Sequence, residues 1–475
     1  MSAPAPGSGP ASTLRAEAAA GIMPAMSLDH LTLLQISLGI GVLFAVLLTG
    51  HILRQRRNPA ATLAWVLFMI AFPLLAVPAY LSFGTRKLRL RTPQPSSPLA
   101  DHDASPLDRL LDSAGIPPLR AGNRVTWHAD GAHARAELVR IVDGARASLD
   151  VLLFLLHEDR AGSSFIDALA ARARGGVRVR VLLDGFGAFL LGRGAVRRLR
   201  AAGVEVVWFI PLLRRPFRAR SNLRNHRKLV IADGETAWFG GRNVADAYFA
   251  DASVWADLSL SLAGPTVADF AQLYAHDWRF AARRPPEPAP PAPAAVASAR
   301  AQLIAAGPDL ARDTLHETLI TLCFAARRRI VLASPYFVPD DSLQQALCLA
   351  ARRGIAVTLL LPARSNHRLA DIARGPYLRE LAAAGVRVRL TRPGMFHVKA
   401  WLVDDDALAG SANLDLRSLF LNFELMCRVR GDAEIAWLDD WLARFDATAT
   451  DASAAPVGAL RELVEGVVLL TAFQL

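Results

Sequence analysis

Lysine is nearly missing from this chain. Of 54 basic residues in 475 positions, three are lysine (Lys87, Lys228 and Lys399) and the others arginine. None of the three follows a glycine, so G-x-x-x-x-G-K-[ST] cannot occur and P-loop nucleotide chemistry is excluded. H-E-x-x-H and G-x-S-x-G are absent too, which removes the helix-borne zinc protease pattern and the nucleophile elbow. Cysteine is as scarce: Cys323, Cys348 and Cys427 are odd in number and lack C-x-x-C spacing, against a disulfide framework or a thiolate metal site. They read as small buried hydrophobes. Charged residues make up 20% of the chain against 52% hydrophobic, which rules out disorder as a global description and points to membrane segments. The small charged fraction still leaves a net +11, which suits an anionic partner, phospholipid or nucleic acid.

The length allows two or three domains. Residues 1–27 are Ala, Pro, Gly and Ser with little else, and the tail expected to be disordered is taken to residue 30. Residues 31–50 contain no charge, and neither do residues 62–84. At about 1.5 Å per residue each run can cross a hydrocarbon core of ~30 Å. The short turn between them carries Arg54, Arg56 and Arg57, so residues 31–84 are expected to form a transmembrane hairpin. Arg86, Lys87, Arg89 and Arg91 rival the turn's arginines, so the positive-inside rule leaves the side open.

After a linker over 85–122 the pattern becomes α/β. Helices over 132–147, 163–174 and 195–202 alternate with strands over 149–156, 177–183 and 204–209. The order repeats with helices over 313–327, 341–353 and 376–384 and strands over 329–333, 356–361 and 386–390. Matching phrases, ARGGVRVRVLL against ARRGIAVTLLL, make this an internal duplication. The expected architecture is two duplicated α/β lobes, 123–283 and 299–448, with the active site at their interface. A proline-rich spacer over 284–298 separates them. A C-terminal amphipathic helix over 452–475 should pack on the body or the membrane surface.

The rare lysines reappear at the end of each lobe. Lobe one has His226-Arg-Lys228 with Asp233 five residues on, then Gly240-Gly241-Arg-Asn243. Lobe two has His397-Val-Lys399 with Asp404, then Gly410-Ser411-Ala-Asn413. Residues two apart on a strand share a face, so each His/Lys pair projects together at the mouth of a buried strand. Across a pseudo-twofold axis, two imidazoles and two ammonium groups would converge. They suit a phosphodiester, whose charge must be neutralised before a nucleophile can approach. Gly240, Gly241, Gly410 and Ser411 would let backbone approach the phosphate, and Asn243 and Asn413 would offer amide donors. A working histidine also needs an acceptor on its other nitrogen. Asp257 is paired here with His226 and Glu424 with His397. Asp233 and Asp404 complete the motif and are read as structural, bonding backbone or lysine near the hairpin turn. The run Arg214, Arg215, Arg218, Arg220 and Arg224 is either a solvated face or a grip on headgroups, and His157 and His367 could line the cleft.

Two H-x-K-x(4)-D motifs on duplicated α/β lobes resemble the phospholipase D superfamily. With RRNPAATLAWVLFMIAFPLLAVPAY, SPYFVPD at 334–340, NLDLRS at 413–418 and LNFE before Leu425, the chain from residue 31 onward resembles the bacterial cardiolipin synthases. That resemblance implies a multi-pass inner-membrane enzyme with no cofactor and no metal. It would transfer a phosphatidyl group between two phosphatidylglycerol molecules through a phosphohistidine, with His226, Lys228, Asp233, His397, Lys399 and Asp404 as the catalytic motif. Asn243, Asn413, Gly241 and Ser411 would lie at the phosphate. His226 would be the nucleophile and His397 the acid/base, an order the near-symmetry leaves open. The second motif is one residue shorter between Asp404 and Gly410 than between Asp233 and Gly240, which puts Ser411 and Asn413 in question. The other readings are a phospholipase D that hydrolyses lipid, a synthase with a phosphatidylethanolamine donor, and a nuclease. Two spans and the lack of an aromatic-interleaved basic tract speak against nucleic acid.

Overall fold

The structure, a computed structural model, describes residues 28–53, 59–84, 87–88, 105–211, 222–285, 287–288, 291–392 and 394–470. The expected tail over 1–27 and Arg214, Arg215, Arg218 and Arg220 lie outside them. The chain divides into Met1–Tyr80 and Leu81–Leu475.

In the first unit, helices Leu28–Leu53, Pro59–Ala71 and Pro73–Phe83 share a small cluster of Ala45, Ile52, Met69, Ala76 and Tyr80. The second apolar run is not the single span expected. Proline has no N–H to continue a helical ladder, and at Pro73 the run divides into Pro59–Ala71 and Pro73–Phe83, 13 and 11 residues long. Helix Leu28–Leu53 has 26 residues. Among the described residues no helix is long and apolar enough to cross a membrane.

The second unit holds the two lobes. Lobe one contributes β1 (Arg120–His128), β2 (Ser148–Leu153), β3 (Arg178–Asp184), β4 (Glu205–Phe209), β5 (Leu229–Ala232), β6 (Thr236–Gly240), β7 (Trp255–Ala256) and β8 (Ser259–Ala263). Lobe two contributes β9 (Ala299–Ala306), β10 (Arg329–Ala333), β11 (Phe337–Val338), β12 (Ala356–Pro362), β13 (Arg387–Thr391), β14 (Met395–Phe396), β15 (Ala400–Val403), β16 (Asp406–Gly410), β17 (Leu414–Asp415), β18 (Glu424–Arg430) and β19 (Thr450–Asp451). Fifteen of these form one sheet in the order β19-β13-β12-β10-β15-β16-β18-β9-β1-β8-β6-β5-β2-β3-β4. Apart from β19 the order reads the same from either edge: the lobes are copies joined where β1 pairs antiparallel with β9.

β2 pairs in parallel with β3 and β10 with β12, and the Val- and Leu-rich β2, β3 and β12 are buried along nearly their whole length. In lobe one, helices Gly131–Gly144, Arg160–Arg174 and Arg193–Ala201 bury Leu138, Ile141, Phe165, Leu169 and Leu199 on one face. Val267–Ala282 covers the other with Phe270, Tyr274 and Trp278. Lobe two repeats this with Thr314–Ala325, Asp341–Arg352 and Gly375–Ala383 on one face and Asp432–Thr448 on the other. Asp130, Asp159 and Asp340 cap their helices by accepting N–H bonds in the first turn. The matched phrases stop their helices alike: Gly176 (φ 90°) and Gly354 (φ 86°) take the left-handed conformation that lets the chain turn into the next strand.

Candidate active site

β5 and β15 are buried four-residue strands, entered from the C-terminal end of a parallel strand. Leu229 lies opposite Leu152 near the end of β2, and Ala400 opposite Ala333 at the end of β10. His226 and Lys228 therefore stand at the mouth of one half of the sheet, and His397 and Lys399 at the mouth of the other.

Each of these segments is stitched to the opposite lobe. The His226 N–H donates to the Phe423 carbonyl (2.9 Å) and the Phe423 N–H to the Arg224 carbonyl (2.9 Å). In the mirrored place the His397 N–H donates to the Ala256 carbonyl (2.7 Å), and β14 runs parallel with β7, Phe396 beside Ala256. Phe423 and Ala256 each directly precede an acid, so the stitching delivers each acid to the other lobe's histidine. His226 Nδ1 lies 2.9 and 3.2 Å from the Glu424 oxygens, and His397 Nδ1 lies 2.7 Å from Asp257 Oδ2. This corrects the sequence expectation: the partners of Asp257 and Glu424 are exchanged. A carboxylate only accepts, so each Nδ1 carries the proton and each Nε2 keeps its lone pair.

Lys228 and Lys399 are buried, and each Nζ donates to the carbonyl of its own motif histidine (2.6 and 2.7 Å). Lys399 Nζ also lies 2.9 Å from His397 Nδ1. Burial lowers the His226 pKa to about 4, with Glu424 opposing and Lys228 adding to the shift. Burial likewise takes His397 down to about 3, with Lys399 adding to it. The resting imidazoles are thus neutral. Burial brings Lys399 down to about 8 against the pull of Asp257, and lowers Lys228 as well. Burial raises Glu424 and Asp257, but their histidines and lysines outweigh it and hold both acids ionised.

Asn243 and Asn413 are buried beside the pair, each with an amide oxygen that has no partner. An amide oxygen accepts, so only a donor such as a substrate hydroxyl, and not a phosphate oxygen, could complete it. The rings around the histidines were not read from sequence. Phe154 sits 4.8 Å from His226, and Tyr248 and Trp255 sit 5.5 and 5.2 Å from His397, centroid to centroid. Also missed was the clamp on the first motif, in which Asp277 accepts from Asn225 Nδ2 (2.8 Å) and Arg227 Nη1 (2.5 Å), the two neighbours of His226.

The family described as "Cardiolipin synthase, PLD-like domain" matches residues 138–278 and 319–445, once in each lobe, and "Phospholipase_D-nuclease N-terminal" matches residues 43–84. The chain belongs to the cardiolipin synthases of the phospholipase D superfamily. It is 33% identical to Cardiolipin synthase A of Edwardsiella ictaluri over 83% of this chain and 89% of that one, and 33% identical to that of Citrobacter koseri over 86% and 91%. The fold is also that of a phosphatidylserine synthase from Haemophilus influenzae (TM-score 0.61, 14% identity, 78% of this chain and 100% of that one). Membership makes the chain a phosphatidyltransferase and places the paired motifs in their family setting.

Asp233 and Asp404 complete that family's motif but stand apart from the histidines. They occupy hairpin turns with left-handed φ of 55° and 49°. Asp233 accepts the backbone N–H groups of Arg146, Ala147 and Ser148, and Asp404 those of Arg327, Arg328 and Arg329. Each pins its hairpin to the start of a parallel strand and bonds backbone, not lysine, which corrects the place in the catalytic motif that the resemblance gave them. The shorter second motif loses its residue in the turn. Ala232 and Thr236 are separated by three residues and Val403 and Asp406 by two, after which Gly410 faces Met426 as Gly240 faces Ser259. Ser411 and Asn413 therefore keep register with Gly241 and Asn243. The small residues do not make room for phosphate as expected. The N–H groups of Gly241 and Ser411 donate to Leu258 and Leu425, and a Cβ at 241 would collide with Asp257. The Ser411 hydroxyl donates to Glu424 Oε2 (2.5 Å). Both positions shape the acids behind the histidines.

Arg224 is buried against Asp184 (3.6 Å) and the Ile210 carbonyl (3.1 Å). His367 caps helix Arg368–Ala373, and the three cysteines are buried.

Proposed function

We propose that this cardiolipin synthase joins two phosphatidylglycerol molecules, with His226 as the nucleophile. The observation that carries the reading is the pair of buried histidines, each with Nδ1 held by a carboxylate from the other lobe and each beside a buried lysine. The side chain of His226 is the more open of the two, at 13% exposure against 6% for His397.

The phosphodiester enters between Lys228 and Lys399, with the amides of Asn243 and Asn413 as further partners. Its negative charge offsets the lysines that depress the histidines, so the bound state can hold one more proton, carried by His397. His226 Nε2 attacks phosphorus, the bond from phosphorus to the headgroup oxygen breaks, and His397 gives its proton to the leaving glycerol. Glu424 stabilises the cationic, phosphorylated imidazole. A second phosphatidylglycerol then gives a hydroxyl proton to His397, its oxygen attacks phosphorus, and the P–N bond breaks to release cardiolipin and restore both histidines. The two uncharged runs, residues 31–50 and 62–84, support a multi-pass anchor in the bacterial inner membrane, where both substrates reside.

The test is to incubate the purified full chain with phosphatidylglycerol in mixed micelles and analyse the products by mass spectrometry. Cardiolipin with equimolar glycerol supports the reading, and phosphatidic acid supports hydrolysis. Cardiolipin formed when phosphatidylethanolamine is added, with release of ethanolamine, identifies that lipid as donor. His226→Ala and His397→Ala should each abolish turnover.

A further inference from the structure

The loop after β3 starts at the active site, because Asp184 accepts the N–H of Asn225, next to His226 (2.8 Å). On this loop Phe186, Phe189 and Leu190 are 59%, 58% and 79% exposed. Three large apolar side chains exposed together on one short loop call for a partner. Arg193, Arg197 and Arg200 follow on the next helix and line a cleft of about 830 Å³ with Phe189 and Trp208.

The same place in lobe two, after β12, carries helix Arg368–Ala373, and the C-terminal helix Ala459–Leu469 docks there. Val468 and Leu469 pack on Val338, Ala373 and Leu416, segments that flank Asn413. The docked helix is inverted relative to a soluble one. Of its two acids, Glu462 is exposed and Glu465 is buried on Arg379 (2.5 Å) and Arg461 (3.0 Å). Leu460, Leu463, Val464 and Val467, spaced i, i+3, i+4, i+7, form an apolar stripe that remains exposed, with Leu470 beyond it at 85%. Beside it a cleft of about 820 Å³ is lined by Arg364, Arg368, Arg374, Arg379 and Arg461, with Asp371 as its acid.

We propose that the histidine edge of the sheet docks on an anionic bilayer. Phe186, Phe189 and Leu190 of one lobe and the leucine stripe of the C-terminal helix would enter the boundary between headgroups and acyl chains, and the flanking arginines would face the headgroups. Charge complementarity selects this occupant, since both apolar patches are bordered by arginine. The inference rests on the reading above only in taking the substrate to lie in that bilayer.

Because Cys323, Cys348 and Cys427 are buried, a single exposed cysteine can be labelled selectively. The full chain carrying Leu190→Cys or Leu463→Cys is labelled with an environment-sensitive fluorophore and reconstituted in phosphatidylglycerol vesicles. Asp143→Cys, before β2 and so at the opposite edge of the sheet, is the control. Lipid-borne nitroxide should quench positions 190 and 463 at least twofold and aqueous iodide should not, with the reverse at 143. Quenching of 190 and 463 by iodide as at 143, or by neither agent because protein covers them, overturns the proposal. The readout does not need turnover. A protein that makes no cardiolipin yet shows this pattern keeps the docking face and loses the proposed reaction, and the converse result does the opposite.

Discussion

Glu424→Gln is the most informative single substitution, because it keeps size and removes one charge from a fully buried acid. Glu424 contacts His226 at 2.9 and 3.2 Å and accepts from Ser411 at 2.5 Å. Attack on phosphorus makes the His226 imidazole cationic, and a cation about 4 Å from the carboxylate gains about 4 kcal/mol at an effective dielectric of about 20. Glutamine still offers an oxygen to Nδ1, and a neutral hydrogen bond of about 1 kcal/mol survives. The net loss of about 3 kcal/mol corresponds to roughly a hundredfold in kcat, since each 1.36 kcal/mol is tenfold. The assay is initial-rate cardiolipin formation in mixed micelles, paired with titration of the two histidines by NMR on histidine-labelled enzyme. Glu424 raises the His226 pKa, so its removal should lower that titration further and leave His397, held by Asp257, in place. A rate loss below threefold would refute the electrostatic argument, and a shift at His397 instead of His226 would refute the crossed pairing.

The pH profile of kcat/KM should carry an acid limb as the nucleophile titrates near the about 4 of His226 and an alkaline limb near the about 8 at which Lys399 gives up its charge. Glu424→Gln should move the acid limb lower. Asp233→Ala and Asp404→Ala each remove an acceptor of three backbone N–H groups at a left-handed turn. Each should cost about 1–3 kcal/mol of stability, read as a lower Tm, with turnover per folded enzyme unchanged; a selective loss of kcat would place them in the chemistry. Ser411→Gly removes a hydrogen bond to the ionised Glu424, worth about 1.5–3 kcal/mol, and should slow the enzyme roughly tenfold or more. Gly241→Ser puts a Cβ into Asp257 and should be at least tenfold worse, so equal effects would mean the two acids are not positioned by these residues.

Much of this was legible because it is local. Helix and strand alternation follows from hydrophobic period, and the six strands expected over 149–390 overlap β2, β3, β4, β10, β12 and β13. The His/Lys pairs were legible because lysine is so rare. The misses are mostly long-range. β1 and β9, which join the lobes, have mixed polarity and a bulge between Arg120 and Asn123, so no clean period marks them. The exchange of Asp257 and Glu424 follows from pairing between β7 and β14 and between Asn225 and Phe423, contacts that neighbouring sequence does not encode. The break before Pro73 is the one local miss: the single span expected over 62–84 overlooks a proline that removes a helical donor.

The exchange makes the two motifs interdependent in a way duplication alone does not require. If each acid served its own lobe's histidine, one lobe could hold an oriented imidazole and the second would add only a partner for it. Here the backbone N–H and the Nδ1 of each histidine both end on the other lobe, at Phe423 and Glu424 for His226 and at Ala256 and Asp257 for His397. Neither imidazole has its tautomer fixed until the interface has formed. A change that loosens the seam between lobes should therefore weaken nucleophile and acid together, whereas a change behind one acid, such as Gly241 or Ser411, reaches one histidine alone. Those supports are asymmetric, a hydroxyl behind Glu424 and a bare glycine behind Asp257.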